Sequence, residues 1–152
     1  MGYYGKNPNT YTKENFFEIP QGNHRVKISK VRVERFNNKE GNEKHCYEIT
    51  LKVSGHPGKL WYYLWYHAGH LERSTREFEK FFDSFQIEDR DRAHYKDWVG
   101  KSGAVKVGHF YQWKCYTTEV VSCLDREAVD KLPPWSDELD EKYSILDVKD
   151  YF

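Results

Sequence analysis

The run Lys59-Leu60-Trp61-Tyr62-Tyr63-Leu64-Trp65-Tyr66-His67 narrows the folds open to this chain more than any other stretch. It is built from residues that fit a pleated surface, with no glycine or proline to interrupt it. In a β-strand, successive side chains point to opposite faces. Leu60, Tyr62, Leu64 and Tyr66 then share one side, and Trp61, Tyr63, Trp65 and His67 share the other. The leucines mark the core face. The second face presents large aromatics, which either lie under another layer in an aromatic core or stay at the surface, where they form a stacking platform for unpaired bases.

At 152 residues the chain reads as one domain with a tail, long enough to bury a core without staples. Aromatics make up 17% of it and aliphatics are sparse, so Phe, Tyr and Trp must supply much of the core. The formal net charge is zero, but it is unevenly spread. Residues 133–152 hold six acids (Asp137, Glu138, Asp140, Glu141, Asp147, Asp150) against Lys142 and Lys149, a balance of −4, which leaves +4 on residues 1–132. Cys46, Cys115 and Cys123 are odd in number and lack CxxC spacing, so neither a disulfide framework nor a common zinc site is indicated. No apolar run approaches the ~20 residues of a membrane span. The polar start, Gly2 to Asn15, lacks the pattern of a signal peptide. The expectation is a soluble, cytoplasmic protein with no membrane partner.

Residues 1–18 read as an N-terminal arm without period. Ile19-Pro20-Gln21-Gly22 is a turn that opens residues 19–132. Val26 and Ile28 alternate with Lys27, and the apolar parity then shifts to Val31 and Val33, predicting a β-bulge near Ser29-Lys30 that bends the first strand. The polar stretch Asn37 to Lys44 is a hairpin loop. Tyr47, Ile49, Leu51 and Val53 follow at strict period two, and Ser54 to Gly58 turns that second strand into the aromatic third. From Leu71 the period becomes helical, with Leu71, Thr75, Phe78, Phe81, Phe82 and Phe85 on one stripe. Glu88 to Arg92 is a solvated connection, and Trp98 to Gly103 a glycine-flanked turn. Val105 and Val107 begin a fourth strand, His109 to Gln112 reads as a short turn, and Trp113 to Leu124 as a fifth strand. Pro133 and Pro134 end the domain, and residues 133–152 form a flexible acidic tail.

The order β-β-β-α-β-β, with a bent first strand, predicts a mainly β fold, a five-stranded OB-like Greek-key barrel with one helix between strands 3 and 4; other five-stranded α+β arrangements share this order. In such barrels the face of strands 2 and 3 and the flanking loops bind oligonucleotides.

Ile19-Pro20-x-Gly22, Trp98-x-Gly100-Lys101-x-Gly103-x-Val105 and Asp147-Val148-Lys149-Asp150-Tyr151-Phe152 together resemble a family of small phage and prophage recombination and replication proteins. The resemblance covers residues 16–124 and implies an OB-fold that binds single-stranded DNA, in the cytoplasm of a host cell if phage-encoded. The acidic end with its terminal Phe separately resembles the partner-docking tip of bacterial single-stranded DNA-binding proteins, though Lys149 dilutes its acids and Tyr151 replaces the usual proline. That second resemblance implies that Asp150, Tyr151 and Phe152 dock replication or recombination proteins.

Read from the residues, nucleic-acid binding rests on Trp61, Tyr63 and Trp65 beside Lys27, Arg32 and Lys52 on neighbouring strands, with Lys39, Lys44 and Lys101 on loops. Stacking tolerates any sequence because every base has a π-face, and the cations meet phosphates. The expected function is non-sequence-specific binding and protection of single-stranded DNA in phage replication or recombination, and a homo-oligomer is among the partners the sequence allows. His67-x-x-His70 lacks a nearby third ligand, so no metal is expected. Nothing resembles a nucleophile elbow, a phosphate loop or a two-carboxylate hydrolase pattern, so neither a catalytic residue nor a cofactor is expected. The alternative is a phage-encoded protein-interaction module, an inhibitor or adaptor, that uses the same aromatic face.

Overall fold

A computed structural model describes residues 10–11, 19–37, 39 and 41–137. Its strands are β1 (Thr10–Tyr11), β2 (Gly22–Asn37), β3 (Glu43–Val53), β4 (Lys59–His67), β5 (Ser102–Gln112) and β6 (Cys115–Cys123). Its α-helices are α1 (Leu71–Ser84) and α2 (Arg126–Asp130). The sheet order is β1-β6-β5-β2-β3-β4, and every neighbouring pair is antiparallel. Five of these strands are long, and β1 is a two-residue pairing at the edge.

β2, β3 and β4 follow one another as hairpins, and β5 returns after α1 to lie on the other side of β2, which is a Greek-key path. The 16 residues of β2 make this possible. Its start, Gly22–Lys27, pairs with β5, and Val26–Asn37 pairs with β3. The expected bulge lies where the partners change, between Ile28 and Lys30. There Ile28 N–H donates to the Lys101 carbonyl at 2.9 Å, and its own carbonyl accepts from Gly100 N–H at 2.8 Å. The sheet is left open between β4, one of its edges, and the part of β6 that lies beyond the two residues paired with β1, and these two strands curl towards each other, the Tyr62 hydroxyl donating to the Cys123 thiol.

The strict alternation in β3 holds: Tyr47, Ile49, Leu51 and Val53 are all buried, as are Leu60 and Leu64 of β4. Against them α1 packs Phe78, Phe81 and Phe82, with Phe85 just beyond its end. Phe81 lies 5.0 Å from Phe85 and 5.1 Å from Trp98, centre to centre, and Tyr47 lies 5.4 Å from both Phe78 and Trp98. This is the aromatic core that the scarcity of aliphatics requires, each large side chain contributing about 1.5–3 kcal/mol of burial. Gly103 makes room for it, since a Cβ there would sit 2.8 Å from the Phe85 ring.

Several expectations need correction. Leu71, 54% exposed, and Thr75 are not on the buried stripe of α1. Ser74 takes the inward place because it accepts from His67 N–H at 2.9 Å, satisfying the end of β4. His109 to Gln112 is not a turn but the end of β5. The reversal comes at Trp113 and Lys114, whose φ of 51° and 62° make a two-residue turn of the kind that suits twisted hairpins, so β6 starts at Cys115. Trp98 does open the turn before β5, its carbonyl accepting from Lys101 N–H at 3.1 Å, but it also ends a short 3₁₀ segment, Arg92–Trp98, and its side chain is core, 1% exposed. Helix α2 was not expected; Asp125 caps it by accepting from Ala128 N–H at 2.8 Å.

Beyond Leu132 the chain stays in contact with the sheet. Arg25 donates to the carbonyls of Pro133 (2.8 Å) and Val129 (2.9 Å), and Ser136 exchanges hydrogen bonds with Ser54 and Gly55. Most of the expected N-terminal arm, and the part of the tail that carries Asp150, Tyr151 and Phe152, lie outside the described residues.

Candidate nucleic-acid interface

The register of β2, β3 and β4 sets their outward side chains in rows. From one end to the other these are Phe36, Lys44 and His67; Glu34, Cys46 and Trp65; Arg32, Glu48 and Tyr63; Lys30, Thr50 and Trp61; and Lys27, Lys52 and Lys59. The opposite parity holds the core. Tyr63 and Trp65 are 44% and 42% exposed, and Trp61 is half-buried beside Thr50.

Trp65 is held from two sides. The Phe36 ring lies 6.1 Å away, and the Lys44 ammonium stands 4.5 Å from the centre of the indole. A cation over tryptophan is favourable by about 0.5–1 kcal/mol at an exposed site. The platform ring is therefore oriented before any ligand arrives, and a positive charge is fixed on it.

Charge on this face is mostly positive. Lys27, Lys30, Arg32, Lys44, Lys52 and Lys59 stand against Glu34 and Glu48. The acids are spent on one residue: Arg32 contacts Glu48 at 2.8 Å and Glu34 at 3.1 Å. The Glu48 hydrogen bond, with the charges of both acids, holds the guanidinium above its usual pKa. Arg32 is thus met inside the protein, and the lysines carry the net field. Lys27, Lys52 and Lys59 lie directly opposite one another across three strands, an arrangement that costs stability through like-charge repulsion. Burial, and then the charge of Glu48, raises the pKa of Tyr63, which keeps it a neutral stacking ring.

Of the residues singled out from sequence, Trp61, Tyr63, Trp65, Lys27, Arg32, Lys44 and Lys52 come together on this face, Lys44 not from a loop, as expected, but from β3, where it pairs with Phe36 and His67. Lys39 sits at the tip of the β2–β3 hairpin and Lys101 beside the bulge, at the margins of the face. Lys30, Lys59 and Phe36 were missed, although parity alone points to them: Lys59 alternates with Trp61 and Tyr63, and Lys30 and Phe36 with Arg32. A second group was hidden by the misplaced turn. The β5–β6 hairpin exposes Tyr111, Trp113 and Tyr116, with Trp113 93% exposed at the tip and the two tyrosine rings 4.9 Å apart.

Among the described residues there is no group of three or more His, Cys, Asp or Glu able to hold a metal ion, and no helix long and apolar enough to cross a membrane. No family model matches the chain, and no curated protein matches it.

Proposed function

We propose that the outer face of β2, β3 and β4 binds single-stranded DNA without strong sequence preference, on an OB-like barrel that stays open between β4 and β6. The observation that carries this reading is one row of alternate residues on β4, Lys59, Trp61, Tyr63 and Trp65, set beside the cations of β2 and β3. Such a face offers rings to bases and ammonium groups to phosphates, and rings can stack only on bases that are not already paired. The Greek-key order, with α1 between the third and fourth long strands, is the path of an OB barrel, and the hairpins β2–β3 and β5–β6 correspond to the loops that flank its groove. Shielding an unpaired strand during phage replication or recombination is the role this face would serve.

The test is a titration with oligo-dT, duplex DNA and RNA at two salt concentrations. Preference for oligo-dT, tryptophan quenching and a slope of about −0.7 in log affinity against log salt for each phosphate contact are expected. Replacing Tyr63 and Trp65 by Ala should weaken binding by about 2–6 kcal/mol in a folded protein, for two stacked bases. Binding that ignores salt would overturn the reading in favour of a protein interface. The observation favouring that second reading is the hairpin surface of Tyr111, Trp113, Tyr116 and the 51% exposed Val121, which is apolar and carries little charge.

A further inference from the structure

The aromatic face ends at β4, but its chemistry continues over the edge. Because the sheet does not close, β4, the start of α1 and β6 enclose a pocket of about 440 Å³, within the ~300–1,000 Å³ range of small-ligand sites. Its lining includes Lys44, Trp65, His67, His70, Arg73 and Val121, so Trp65 and Lys44 belong to both the platform and the pocket.

Most of its polar side chains can donate. His67 Nδ1 accepts from Gly69 N–H at 3.0 Å, which leaves Nε2 to carry the proton when the ring is neutral. The His70 ring stands 4.7 Å from it, centre to centre. Glu77, one turn along α1 from Arg73, is the pocket's single acid and would be the natural partner of that guanidinium. It contacts Lys80 instead, at 3.9 Å. Among the described residues Arg73 has no ion pair, so the pocket wall holds an uncompensated cation beside an aromatic ring.

We propose that this pocket receives a nucleotide of the bound strand after it has crossed β2, β3 and β4, with its phosphate on Arg73 and Lys44 and its base against the Trp65 side. The proposal rests on the platform reading above. The rows run across the three strands, and three of them end on β4 at residues that line the pocket, Tyr63, Trp65 and His67, so a strand laid along the rows reaches this pocket next. Arg73 suits the role because its planar fork meets phosphate oxygens in pairs.

The experiment compares wild type, Arg73→Gln and Arg73→Lys by fluorescence titration with oligo-dT of stepped length, from four to about twenty nucleotides, with deoxythymidine monophosphate as a further ligand. Arg73 is exposed in the first turn of α1, so the fold tolerates both changes. The expected result is that Arg73→Gln leaves the shortest oligomers unaffected and weakens the longer ones about tenfold, with a salt slope smaller by about 0.7. Arg73→Lys should recover part of the loss. An equal loss at every length would make Arg73 part of a general field and overturn the pocket. No loss at any length would overturn it too while leaving the platform intact. Tight binding of the free mononucleotide would make this a small-molecule site and also overturn the proposal. Absence of salt-dependent oligo-dT binding by wild type would remove both the pocket and the platform.

Discussion

The Lys27 ammonium stands 4.5 Å from the centre of the Trp135 ring, which fastens the end of the described chain to the lysine row of the sheet. The Trp135 indole N–H in turn donates to the Asp137 carboxylate at 2.9 Å, so the ring meets a cation over its face and an acid at its edge. Two prolines separate this segment from α2, yet Ser136 is hydrogen-bonded to the β3–β4 turn at Ser54 and Gly55. Trp135→Ala removes the cation–π contact and a half-buried ring. The cost should be about 1–2 kcal/mol, seen as a melting temperature lower by about 3–6 °C in calorimetry. Removing the indole also frees Lys27, so DNA affinity at low salt should not fall. An unchanged melting temperature would mean that the segment rests on the sheet without contributing to its stability.

The row Lys27, Lys52 and Lys59 links stability to function with opposite signs. Lys52 faces a like charge on both sides, so Lys52→Gln should raise stability by a few tenths of a kcal/mol. The same change removes a phosphate contact and should flatten the salt slope of DNA binding by about 0.7. Denaturant unfolding and salt-titrated binding on one preparation check both halves. A variant that is less stable, or that binds as well with an unchanged slope, contradicts the assignment of this row.

What could be read in the sequence was whatever local periodicity determines. The alternation in β3, the bulge at Ile28–Lys30 and the division of β4 into a leucine face and an aromatic face were all legible, because each follows from parity along a single strand. The helix was legible from its phenylalanines but not in its first turn, where Ser74 faces inward to satisfy His67 and so defeats a purely hydrophobic stripe. The β5–β6 turn was misplaced because Trp113 and Lys114 both take positive φ without glycine, a choice imposed by hairpin twist and not by residue preference. The pocket was beyond sequence reading altogether, since Lys44, Arg73 and Val121 come from different elements and meet only because the sheet stays open.

Asp89 and His94 make a local pH-sensitive pair on the connection after α1. The His94 Nδ1 lies 2.7 Å from the Asp89 carboxylate, and this hydrogen bond holds the His94 pKa above its ordinary 6.5 and the Asp89 pKa below its ordinary 3.8. A histidine with a raised folded pKa adds stability that is full below pH 6.5 and is lost as pH rises through the raised value. A carboxylate with a lowered folded pKa adds stability that is present above pH 3.8 and is lost as pH falls. Both contributions coexist between these limits. NMR titration should therefore find His94 titrating above the ordinary value in wild type and close to it in Asp89→Asn. An unshifted His94 in wild type would show that the contact does not persist in solution.

The three cysteines should separate cleanly by reactivity. Burial, with the charges of Glu34 and Glu48, pushes the Cys46 thiol up to about 11. Burial pushes Cys123 up to about 12, and the hydrogen bond from Tyr62 only partly opposes this. Only the thiolate attacks a disulfide reagent, so at pH 8 each of these two sites offers a small fraction of the nucleophile of an ordinary cysteine. Cys115 lies at the start of β6 beside the Trp113–Lys114 turn, away from the seam between β4 and β6. Ellman's reagent should therefore titrate one thiol rapidly in the native protein and the other two only on unfolding, and Cys115→Ser should abolish the rapid phase. Tyr62→Phe tests the seam directly, because losing the hydrogen bond across β4 and β6 should cost about 0.5–1.5 kcal/mol and let the two strands separate more often. Labelling of Cys123 in that variant should then be faster despite a still less acidic thiol, since access replaces ionisation as the controlling factor. Slower labelling would show instead that the seam is held by packing alone.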